Sequence, residues 1–130
     1  MAVEGVQPAR LIRDEDPWSS RQGWSGSAHV RVWRTEPGRV AVVVSGPGAE
    51  GDLETVLPLL RGEYPDDSVD FFFHRPMDWV APAYYAELTS GDDGTVTRTH
   101  IAGDALAARL GPAFYETEDP DDHSTGWGGA

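Results

Sequence analysis

The chain has 130 residues and a formal net charge of −12, from 22 acids against 10 cationic residues, every one an Arg, and it has no Cys. That length suits one domain with a buried core, and the missing Cys excludes disulfides, thiolate nucleophiles and zinc–thiolate sites. Residues 1–45 hold six Arg against five acids and residues 46–130 hold four against seventeen. The second lobe therefore repels nucleic-acid phosphate and anionic lipid and attracts basic protein surfaces.

Residues 1–27 read as a mixed N-terminal arm. Arg10-Leu11-Ile12-Arg13 suits a short strand or anchor, and Asp14-Glu15-Asp16-Pro17 breaks regular structure. Trp18 and Trp24 sit in a Ser/Gly-rich run, where a tryptophan folds back on the core or docks on a partner. No basic start leads into an apolar run, so no signal peptide is expected. No apolar stretch approaches the roughly 20 residues of a membrane span. A cytoplasmic protein is the expectation.

The α+β domain is expected over 28–112. Residues 28–36 alternate as a strand, with Val30 and Val32 on one face and His29, Arg31 and Trp33 on the other. Pro37-Gly38 is a turn signal, and the valines of 39–45 make a buried partner strand. After a Gly-rich loop, Asp52 suits an N-cap. Leu53, Val56, Leu57 and Leu60 then repeat at helical spacing, and Gly62 suits the stop. Residues 69–74 form a third strand, with Phe71 and Phe73 opposite Phe72 and His74. A loop with Met77, Asp78, Trp79 and Val80 follows, then strands at 83–89 and 95–101 around the turn Ser90-Gly91-Asp92-Asp93-Gly94. A short helix holding Leu106 and Leu110 ends at Gly111-Pro112. The expected fold is a mostly antiparallel five-stranded sheet, ordered strand–strand–helix–strand–strand–strand–helix, with both helices on one face. Residues 113–130 are an acidic C-terminal tail.

Gly46-Pro47-Gly48-Ala49-Glu50-Gly51 satisfies G-x-G-x-x-G, the pattern that cradles a pyrophosphate. Glu50 and Asp52 oppose that use, and a hairpin strand before the loop does not suit a parallel nucleotide-binding unit. Asp66-Asp67 and Asp92-Asp93 lack the spaced ligands of a calcium loop. Neither a metal centre nor a cofactor is expected. Strand alternation, given a suitable register between strands, would bring His74, Glu87, Arg31 and Arg98 to one side of the sheet, with His100 beside them. Those are the candidate catalytic residues, with His74 and Glu87 doing acid–base work. Trp33, Trp79, Tyr85, Arg75 and Asp78 are candidate binding residues, since loops at strand ends often carry function. The simpler reading is a sheet face of large side chains packed beside one another.

The ending Trp127-Gly128-Gly129-Ala130, with the strand–strand–helix–strand opening, resembles ubiquitin-like modifiers of the β-grasp order. That resemblance implies a conjugated Gly-Gly tail. The charge pattern favours a different function, a small acidic binding protein of the inhibitor, immunity or adaptor type. It would engage a basic protein partner through charge, with anchors such as Trp79 or Trp24. Nucleic acid and membrane are not expected partners, and a homodimer through the sheet face is a further possibility. An alternative is a small enzyme or ligand-binding tailoring protein that uses the polar-aromatic face.

Overall fold

A computed structural model describes residues 9–15, 18, 28–46, 50–75, 83–111 and 114. Six strands lie side by side in chain order: β1 (Arg10–Glu15), β2 (His29–Glu36), β3 (Arg39–Ser45), β4 (Ser68–Arg75), β5 (Tyr84–Ser90) and β6 (Val96–Ile101). Helix α1 (Leu53–Gly62) links β3 to β4, and α2 (Gly103–Leu110) follows β6. The class is α+β with a mostly antiparallel sheet, as expected, but with six strands rather than five. The added strand is β1, which pairs with β2 across a bulge between Leu11 and Arg13.

β3 and β4 run parallel, from Arg39 opposite Ser68 to Ser45 opposite His74. Parallel neighbours need a crossover rather than a tight turn, and α1 supplies it. β3 therefore belongs to a hairpin with β2 and also to a β–α–β unit with β4, so the hairpin does not exclude the second arrangement. In α1 the predicted stripe of Leu53, Val56, Leu57 and Leu60 is buried. The Asp52 carbonyl opens the helix by accepting the N–H groups of Thr55 and Val56, both at 2.9 Å.

The helices lie on opposite faces of the sheet, which corrects the expectation of one. Leu57 and Leu60 of α1 pack with Val30, Val42, Val44 and Phe73. Leu106 and Leu110 of α2 pack with Trp33, Val43, Phe72 and Tyr85. The reason is in β3, where Val40, Val42 and Val44 turn to α1 while Ala41 and Val43 turn to α2. A strand apolar on both sides needs cover on both. At about 25 cal/mol per Å2, a single helix would leave one of those faces in water at several kcal/mol.

The core draws on residues outside 28–112. Trp18 is fully buried in the α1 cluster, and its backbone N–H donates to Ala28 O at 2.7 Å. Phe114 is buried on the α2 side, its ring 6.1 Å from Trp33 and 6.0 Å from Tyr85. Arg13 ties β1 to the end of α1 through Glu63 at 2.6 Å and Tyr64 Oη at 3.2 Å, and it also meets Glu15 at 2.6 Å. Burial disfavours its charge, yet those three bonds outweigh the burial and hold its pKa above the ordinary arginine value. In the β5–β6 turn, Asp93 Oδ1 accepts the Thr95 N–H at 3.0 Å and the Thr95 hydroxyl at 2.7 Å. Those bonds favour the carboxylate and lower the Asp93 pKa. No helix among the described residues is long and apolar enough to cross a membrane.

Candidate functional site

Both parallel strands end at the same edge of the domain. Register places His29, Ser45, His74 and Tyr85 in one row across β2–β5. Arg31 stands two residues along β2, on the same face. Its Nη2 donates to Ser45 Oγ at 3.1 Å and lies 3.5 Å from His74 Nδ1, while Ser45 Oγ is 3.3 Å from that nitrogen. The His74 ring stacks on Tyr85 at 4.6 Å and 14°. The buried polar or charged residues among those described are Arg31, Ser45 and His74, at 3, 5 and 9% exposure, and all three touch one another.

This arrangement has a definite chemical sense. Two donors, the guanidinium and the serine hydroxyl, face His74 Nδ1. An imidazole nitrogen that accepts there would leave Nε2 as the donor of the ring. A Ser–His contact is also the elementary nucleophile–base pair. Here, however, the hydroxyl is buried and already receives an arginine N–H. The cluster ties its three members to one another across β2, β3 and β4, as buried polar networks do. At its rim, His29 Nε2 meets Asp14 Oδ1 at 2.6 Å.

The four catalytic candidates do not converge. His74 and Arg31 meet. Glu87 shares their face but stands opposite Phe72, and its carboxylate faces Arg109 of α2 at 3.5 Å. Arg98 lies on the other face. It is opposite Leu88, with its guanidinium 5.4 Å over the Phe73 ring, and His100 lies against Tyr84 at 5.3 Å. The physical reason is the pairing: Tyr85 stands opposite Ile101, so Arg98 and His100 take the opposite pleat.

On the α1 face, Arg98 donates to Glu50 through Oε2 at 3.1 Å and the backbone carbonyl at 2.9 Å. Arg75 lies over Tyr84 at 5.0 Å and 3.8 Å from the same Glu50 oxygen. Glu50 thus brings its carboxylate to both Arg75 and Arg98. A cleft of about 410 Å3 opens here, lined by Glu50, Asp52, Glu54 and Thr55 on the α1 side and by Val96 and Arg98 of β6.

Of the binding candidates, Trp33 is core beneath α2, Tyr85 is buried against His74, and Arg75 is half-exposed. Trp79 and Asp78 lie outside the described residues, as do Trp24 and the Gly-Gly ending. Sequence reading did not single out Ser45, Tyr84 or Glu54. Ser45 ends a strand, where serine reads as turn chemistry, and the signal that reaches it is the parallel register with His74. Among the described residues, no group of His, Asp and Glu is placed to hold a metal ion. Comparison with protein-family models, curated proteins and solved structures finds no match.

Proposed function

We propose that the protein is a small binding protein, of the inhibitor, immunity or adaptor kind, that engages a basic surface of another protein in the cytoplasm. The observation that carries the reading is how the cations are used. Arg13, Arg34, Arg39, Arg75, Arg98 and Arg109 each form an ion pair with a carboxylate of the same chain. Arg31 is buried. With those cations paired to carboxylates of the same chain, the excess of carboxylates sets the outward field. Glu54 and Asp52 concentrate it at the cleft beside β6. A chain without Cys needs no oxidising compartment, which suits the proposed setting.

The test is kinetic. A partner captured at low ionic strength should associate more slowly as salt rises through the physiological range, where the Debye length is about 8 Å. Asp52→Asn with Glu54→Gln should slow association at low salt and flatten that dependence. A salt-independent rate with the unaltered chain removes the reading.

A further inference from the structure

β6 is an edge. Among the described residues it pairs with β5 alone, so one row of its backbone N–H and C=O groups has no strand partner among them. Thr97, Arg98, Thr99 and His100 are exposed, so neither helix roofs this strand. Edge strands template pairing with another chain, and proteins usually blunt them with bulges, charge or proline. The opposite edge is treated that way: β1 is bulged after Leu11, and four of its six residues, Arg10, Arg13, Asp14 and Glu15, are charged. β6 has no register shift against β5. Four of its six residues, Val96, Thr97, Thr99 and Ile101, are β-branched, the type that favours strands.

The acidic cleft borders this same edge. Val96 and Arg98 form one wall, and Glu50, Asp52 and Glu54 stand across it. Side chains alternate along a strand, and in β6 Val96 and Arg98 belong to the α1 face while Ile101 packs on the α2 side. A strand added beside β6 would present every second side chain to the α1 face. The one opposite Val96 stands at the mouth of the cleft, within reach of Glu54 for a long cationic side chain. Arg98 is already held by Glu50.

We infer that the partner contributes an extended basic segment, which pairs with β6 as a seventh strand and lays a Lys or Arg into the cleft between Val96 and Glu54. This rests on the basic-partner reading and adds its mode. Main-chain pairing supplies affinity, and the alternate cationic side chain supplies selectivity. Repulsion between two bodies of net charge −12 disfavours a second copy of the chain as the occupant.

The experiment uses the full chain and synthetic heptapeptides. One alternates Thr and Lys; a second has the same composition with its Lys in a block; a third is the alternating peptide N-methylated at every second amide, which keeps charge and removes pairing. The alternating peptide should bind about ten-fold more tightly than either control. Its amide shift changes should gather in 96–101 and 50–55. Glu54→Gln should weaken it, while Thr89→Ala, a control on β5, should not. Equal affinity for all three peptides, with shifts spread over the acidic surface, overturns strand addition and leaves the electrostatic reading standing. No binding of any peptide at low salt overturns both.

Discussion

Ser45 and His74 are register partners at the carboxyl ends of the two parallel strands, with Ser45 Oγ 3.3 Å from His74 Nδ1 and Arg31 joined to both. Three polar side chains from three adjacent strands are thereby withdrawn from water together. Taking one away leaves the others buried without a designed neighbour, and such removal costs more than the bond itself is worth.

Ser45→Ala should therefore destabilise the fold by about 1–3 kcal/mol. Ser90→Ala, at an exposed position, should stay within about 0.5 kcal/mol. Urea titrations of both variants decide it. Equal small effects would mean that the cluster is well served without the hydroxyl.

The two hydrophobic clusters are separated by the sheet, and this has an arithmetic consequence. Leu57→Ala under α1 and Leu106→Ala under α2 should each cost about 2–5 kcal/mol. The double variant should equal their sum within about 0.5 kcal/mol, because neither residue shares a pocket with the other. A large coupling energy would mean that the layers communicate through β3.

The N-terminal arm is structural in part. Trp18→Ala should cost about 3–5 kcal/mol, since the ring is wholly buried among Val, Leu and Phe side chains. Ile12→Ala, on the exposed side of β1, should cost less than about 1 kcal/mol. Thermal melts of these two variants and of a chain lacking residues 1–27 test the point, and the truncated chain should be the least stable.

Asp93 gives a pH signature. Its two Thr95 bonds lower its folded pKa below the ordinary 3.8. The stability they contribute is present above that ordinary value and fades as pH falls through the lower, folded one. Asp93→Asn should thus be less stable than the unaltered chain at neutral pH, and the two should converge in acid. A gap that persists unchanged at acid pH would assign the effect to shape rather than charge.

Much of the scaffold was legible in the chain because it is written locally. The stripe Leu53, Val56, Leu57, Leu60 names its own helix, and the turn at Pro37-Gly38 joins the two strands that flank it. The unalternating valines of 40–44 also announced a strand buried on both faces, and that clue alone contradicts helices on one side. What eluded sequence reading depends on pairing between strands. Alternation shows that Arg98 and His100 share a face, and separately that Tyr85 and Glu87 do. Only the register Tyr85–Ile101 relates the two sets, and it places them apart. Ser45 and His74 were likewise invisible as a pair, because they are far apart along the chain and meet only through the parallel ladder.

That parallel seam also shapes the order in which the molecule assembles. The remaining ladders are antiparallel, and the β2–β3 and β5–β6 pairs close over short turns. β3 and β4 can align only after the chain between them has looped back through α1, and long loops close at greater entropic cost. The nucleating events should be the two hairpins, with the seam and α1 docking together late. Leu57→Ala in the late-docking α1 should then act chiefly on the unfolding rate, and Val96→Ala in the β5–β6 hairpin chiefly on the folding rate.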